Sequence, residues 1–130
     1  MTGNHADISA ALGVYFDGFY EGDTDKLKQI FHPACHLYAA TGGDFMDSDM
    51  EAVYGRVVAR IKPSDRGDKR EDGILTIDQS GPECAFAKVY IALGDMMFTD
   101  YLTLLHLDGR WQIITKTFTA VPREGVAPLA

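Results

Sequence analysis

The chain has only two cysteines, Cys35 and Cys84. They lack CxxC spacing and lie in apolar, strand-like stretches, which favours buried free thiols over a disulfide or a thiolate metal site. Long apolar runs are also missing. No stretch approaches the ~20 residues of a membrane span, and no basic segment followed by an apolar one opens the chain, so a cytoplasmic protein with no membrane partner is expected. Positive charge is scarce, with 12 Lys and Arg against 19 Asp and Glu and a net charge of −7. Without a local basic patch this balance repels phosphate backbones and anionic lipid, so no nucleic-acid partner is expected. There is no glycine-rich phosphate loop, nucleophile elbow or Ser/His/Asp constellation, so no cofactor is expected either. His32 and His36 have the i, i+4 spacing of helical metal ligands, but Pro33 breaks the helix between them and no third ligand is apparent, so no metal is expected.

What is present is an ordinary soluble composition, 46% hydrophobic and 24% charged over 130 residues. That length forms one domain, residues 1–130, with its own core. In residues 7–21, Ile8, Leu12, Tyr15, Phe16 and Phe19 fall on one helical stripe. Gly22 breaks that helix. Asp23, Thr24 and Asp25 then suit the start of a short second helix that His32-Pro33 terminates. A short strand is expected over 34–41. Ser48-x-x-Glu51 reads as a capping box opening a third helix, with Met50, Val53, Tyr54, Val57, Val58 and Ile61 as its stripe and Lys62-Pro63 as its stop. Residues 62–73 alternate in charge sign and read as a solvated loop.

From Gly73 the period changes to two. Segments 74–80, 84–93, 97–107 and 110–119 form four expected strands, separated by Gly81-Pro82, Gly94-Asp95 and Asp108-Gly109. Asp-Gly favours a two-residue type I′ turn. A regular ladder that starts from Leu107 opposite Arg110 pairs Leu104 with Ile113, Leu102 with Thr115 and Asp100 with Thr117 on one face. The other face pairs Tyr101 with Lys116, Thr103 with Ile114 and Thr99 with Phe118. A second two-residue turn at Gly94-Asp95 sets Val89 beside Asp100 and Lys88 beside Tyr101. A one-residue slip would invert all these faces.

Two stretches carry a family resemblance. "YFDGFYEGDTDKLKQIFHPACHLY" (15–38) resembles the helix-Gly-Asp-helix-Phe-x-Pro opening of the nuclear-transport-factor-two-like superfamily, and "FTDYLTLLHLDGRWQIITKTF" (98–118) resembles its closing hairpin. The superfamily includes polyketide cyclases and ketosteroid isomerases, and the second stretch is most similar to its "putative lumazine-binding" group. The resemblance implies a cystatin-like α+β cone, with three N-terminal helices against a curved, mainly antiparallel sheet that encloses a ligand cavity. It also matches Tyr15 to the oxyanion-donating tyrosine of ketosteroid isomerases. The proton-moving carboxylate of those enzymes falls on Ala39, so steroid isomerisation is not expected. Asp100 lies some four residues from the position of their second oxyanion donor.

Tyr15 and Asp100 are therefore the candidate catalytic or anchoring groups. A buried Asp100 needs a partner such as Tyr15 or Thr117, or a raised pKa; the alternative is an Asp at a strand end open to solvent. Phe16, Phe19, Tyr54, Leu102, Trp111 and Thr117 are the expected pocket walls. Lys88, Tyr101, Thr103, Ile114, Lys116 and Phe118 are expected on the convex face, where a second copy of the chain would cover them. His106 is expected at the rim. The function expected is binding of a partly apolar metabolite, with cofactor-free acid/base chemistry of the isomerase, cyclase or dehydratase kind open to it. The rival is a non-catalytic homodimeric module acting through protein association.

Overall fold

The computed structural model describes residues 5–123. Helix α1 (His5–Glu21) buries Ile8, Leu12, Tyr15, Phe16 and Phe19, the stripe its spacing predicts. Helix α2 (Thr24–Ile30) is capped by Asp23, whose carboxylate accepts from the backbone N–H groups of Asp25 and Lys26 at 3.0 and 3.2 Å. The two helices pack closely at Gly18, where a β-carbon would meet the Leu27 side chain at 2.7 Å. Strand β1 (Phe31–Ala39) follows directly. It begins three residues before the expected start because the chain becomes extended at Phe31, with φ −87° and ψ 130°.

Strand β2 (Met46–Asp49) pairs antiparallel with β1 and has no counterpart in the sequence reading, being only four residues of MDSD. Helix α3 (Met50–Ala59) follows it at once. The expected capping box is displaced by one residue. Asp49 is the cap, accepting from the Ala52 N–H at 2.9 Å, while Ser48 is buried on β2 and accepts from the Arg56 guanidinium at 3.1 Å. Of the predicted stripe, Met50, Val53 and Val57 are buried. Val58 and Ile61 are exposed, because Val58 faces outward and the chain turns extended at Arg60, taking Ile61 off the helix.

The charged stretch 62–73 is more ordered than a solvated loop. It contains a one-turn helix, α4 (Pro63–Arg66), and is fastened to its surroundings. Tyr20 donates to the Asp68 carbonyl at 2.7 Å, Arg70 holds Asp17 and Asp72, and the Arg123 guanidinium donates to the Lys69 carbonyl and to Glu71.

Strands β3 (Asp72–Ser80), β4 (Cys84–Leu93), β5 (Met96–Leu107) and β6 (Arg110–Pro122) complete a six-stranded sheet of order β2-β1-β6-β5-β4-β3. Only the β1–β6 pair is parallel. The α+β cone of curved, mainly antiparallel sheet and N-terminal helices is the expected architecture, with α4 added. Cys35 is buried, but Cys84 is exposed at the start of β4 beside the Gly81-Pro82 turn.

The last hairpin departs from a regular ladder. Asp108 and Gly109 take φ of 53° and 79°, as a type I′ turn requires. Leu107↔Arg110, His106↔Trp111 and Leu104↔Ile113 pair as predicted. Beyond them Thr103 pairs with Thr115, which leaves Ile114 as an extra residue on β6. Such a β-bulge shifts every later partner by one residue. Asp100 therefore pairs with Phe118 rather than Thr117, Leu102 with Lys116, and Tyr101 with Thr117.

Candidate functional site

On β4 and β5 the alternation that turns Ala87, Val89, Leu102 and Leu104 inward also turns Asp100 inward. The register of Val89 beside Asp100 and Lys88 beside Tyr101 is as predicted. Asp100 has no solvent-exposed surface, so a solvated strand-end position is excluded. A carboxylate so placed is sustained only by close partners. It has two, and both reach the same oxygen: Tyr15 donates to Oδ2 at 2.5 Å, and Lys116 Nζ lies 3.5 Å from it. Oδ1 is buried with no hydrogen-bond partner among the described residues.

The bulge brings Lys116 into this group. Lys116 is 4% exposed, and its ammonium sits over the rings of Phe19, Tyr15 and Phe118 at 4.6, 5.1 and 5.4 Å. Burial lowers its pKa. The Asp100 charge opposes that shift, and the positive charge of Arg60 adds to it. Burial raises the Tyr15 pKa well above its ordinary value, and the Asp100 charge raises it further. Tyr15 is thereby held as a hydrogen-bond donor. Burial also pushes the Cys35 thiol up to about 12, which leaves it a packing residue rather than a nucleophile.

A cavity of about 530 Å³ opens against Lys116, with Phe19, Phe98 and Phe118 among its apolar walls and Arg56 and Arg60 also on its lining. Ala39 is buried on β1 and supplies no carboxylate. A separate groove of about 600 Å³ lies between α1, α2 and the β5–β6 turn. Trp111 and His106 line it, their rings 5.2 Å apart. Its charged groups include Asp7, Asp25, Lys28 and Arg110, but none belongs to the buried Tyr15–Asp100–Lys116 cluster. The cavity beside that cluster is the candidate site.

The expected walls divide accordingly. Phe19 lines the cavity, whereas Phe16 and Leu102 are packed in the core and Tyr54 is half-buried with Lys28 over its ring at 5.3 Å. Trp111 faces the other groove. Thr117, expected inside, is exposed on the opposite face, because the bulge at Ile114 inverts the strand. Lys116 and Phe118, expected at a convex interface, are inside for the same reason. Lys88, Tyr101 and Thr103 keep the convex placement: Lys88 lies over the Tyr101 ring at 5.3 Å, and the Thr103 hydroxyl bonds that of Thr115. Ile114 is the bulge residue and is half-buried. Lys116, Arg56 and Arg60 are the site residues the sequence reading missed. The adjacent Ile113-Ile114 pair, which breaks strict alternation, was the available sign of a bulge.

Comparison with known proteins supports the fold. The family described as "Putative lumazine-binding" matches residues 3–119. The aldolase FrzH of Cladobotryum sp. is 25% identical over 118 residues, covering 89% of this chain and 90% of that protein. A nuclear-transport-factor-two-like protein of unknown function from Shewanella baltica OS155 superposes with a TM-score of 0.82 at 19% identity, covering 92% of this chain and 94% of that one. A ketosteroid isomerase-like protein from Erwinia carotovora atroseptica superposes at 0.69 with 14% identity, covering 91% and 96%. At these identities the structural likenesses establish fold alone.

Proposed function

The chain belongs to the family described as "Putative lumazine-binding", and from that membership and the geometry of the cone we propose that it binds a small, partly apolar carbonyl compound and moves a proton on it without a cofactor. The observation that carries this reading is a buried cluster that meets the cavity through Lys116, in which Tyr15 and Lys116 share one oxygen of Asp100 and leave the other without a partner among the described residues. In this mechanism Asp100 Oδ1 takes the proton from the carbon beside the carbonyl and later returns it. The Lys116 ammonium stabilises the enolate oxygen that develops. Tyr15 acts as a positioning residue that fixes the carboxylate. Carbon-acid chemistry of this kind fits a distant relative named an aldolase, and it moves the basic role from β1, where Ala39 stands, to β5.

The test has two stages. Native mass spectrometry of the purified protein, with lumazine as the first added probe, reads retention of a small molecule. Proton NMR in D2O then follows deuterium entry at C3 of 4-phenylbutan-2-one. Faster exchange than buffer, lost in Asp100→Asn, is expected. Exchange no faster than buffer by a ligand-retaining protein would reduce the reading to binding, the non-catalytic alternative.

The reading includes a cytoplasmic homodimer. Phe86, Tyr101 and Thr103 occupy the convex face, with Tyr101 41% exposed and its ring 6.2 Å from that of Phe86. A flat, partly apolar sheet face of this kind suits a second copy. Sedimentation equilibrium giving a monomer mass at micromolar concentration would remove that part.

A further inference from the structure

We propose that the ligand is an organic acid whose carboxylate is held at the cavity mouth by Arg56 and Arg60. This deepens the proposed function and rests on the same cavity. Among the described residues the lining carries three cations, Arg56, Arg60 and Lys116, and no Asp or Glu. That is an unusual allocation for a chain with 19 acidic residues against 12 basic ones. The contrast with the other arginines is sharper. Arg66, Arg70 and Arg123 each hold a carboxylate. Among the described residues neither Arg56 nor Arg60 is in an ion pair; Arg56 donates only to the Ser48 hydroxyl, at 3.1 Å, and Arg110 at the hairpin turn is likewise without an acid.

The charge of Arg56 also bears on Arg60. Arg60 has its pKa lowered by burial and then by the charge of Arg56, and its own charge acts on Lys116. Asp100, the acid that Lys116 meets, is also engaged by Tyr15. Two guanidinium groups without an ion pair among the described residues therefore border an otherwise apolar space. An anion supplies their partner. A carboxylate matches the planar guanidinium fork in a way that a neutral oxygen does not, while Phe19, Phe98 and Phe118 receive an apolar body. Lys116 then meets a group farther along the same molecule.

The experiment compares two probes that differ in charge and little else, 4-phenylbutanoate and 4-phenylbutanamide, by isothermal titration at low salt. The acid is expected to bind at least tenfold more tightly. Its advantage should shrink as salt is raised and fall below about threefold in Arg60→Gln, with Arg60→Lys intermediate and amide affinity unchanged throughout. Equal affinity for acid and amide overturns the proposal and leaves the cavity reading standing, as does a full acid preference that survives in Arg60→Gln. Binding of neither probe also overturns it; if native mass spectrometry then finds nothing retained, the cavity reading falls as well.

Discussion

The two halves of the β5–β6 hairpin differ in what their register achieves. Near the turn, Leu107↔Arg110 to Leu104↔Ile113 follow a regular ladder, and Leu104 and Ile113 are fully buried core residues. Beyond Ile114 the same strands place a carboxylate and an ammonium together in the interior, against the Tyr15 phenol of α1. The near half is what burial of apolar area favours. The far half spends stability on desolvated charge. One inserted residue separates them, so the far half carries the groups the proposed chemistry needs and the near half what folding alone favours.

Asp100→Ala should break that contrast most strongly. It leaves the Lys116 ammonium buried without its counter-charge, a loss of about 3–5 kcal/mol read by urea denaturation. Leu104→Ala on the near half should cost about 2–5 kcal/mol through a cavity. Size alone does not separate the two, but coupling does. In a Lys116→Met background the cost of Asp100→Ala should drop well below its single-mutant value, while that of Leu104→Ala should stay the same. Equal costs in both backgrounds would mean the far half is ordinary core.

Lys116→Met alone should cost a comparable amount, about 3–5 kcal/mol, since it leaves the buried Asp100 carboxylate without its counter-charge, while proton exchange is lost. The cost depends on pH. Folded Lys116 has a lowered pKa, so between that value and about 10.4, where the unfolded side chain titrates, the unfolded state binds more protons. Wild-type stability from this group therefore rises with pH across that window, and the deficit of Lys116→Met should widen toward pH 10. Tyr15 acts in the opposite sense. Its raised pKa keeps a proton on the folded state above about pH 10, lowering stability there as pH rises, and it does so in both proteins. A deficit that is constant with pH would place Lys116 in contact with solvent.

The sequence was legible where one physical rule acts alone. The α1 stripe, the Asp23 cap, the Asp108-Gly109 turn and the β4–β5 register follow from periodicity and turn chemistry. The pairing of Tyr15 with Asp100 was one of several alternatives the sequence left open, beside a Thr117 partner and a solvated strand end, and burial of Asp100 in the alternation that buries Leu102 and Leu104 decides among them. Competing rules hid the rest. Ser48 and Asp49 both suit an N-cap, and only the pairing of β2 with β1, which buries Ser48, decides between them. Lys116 looked like an outward residue because a regular ladder sets it opposite Tyr101. Its position depends on the bulge, and a bulge stabilised by long-range pairing with β1, whose own register shifts between Phe31 and His36, leaves little local trace.

Thr117 carries the smallest effect and the cleanest discrimination. A regular ladder would put its hydroxyl beside Asp100, where removing it would leave a buried carboxylate short of a donor and cost about 1–3 kcal/mol. The bulged ladder puts it on the exposed face opposite Tyr101, where a surface substitution stays within about 0.5 kcal/mol. Thr117→Ala should therefore leave the urea midpoint and 4-phenylbutanoate affinity where they were. On the convex face the same position becomes informative about assembly, because Thr117→Arg would introduce a bulky cation facing its own copy if that face is the homodimer contact, shifting sedimentation toward monomer while ligand affinity holds. A fall in ligand affinity in Thr117→Ala, with stability lost in proportion, would restore the unbulged register and turn Lys116 outward.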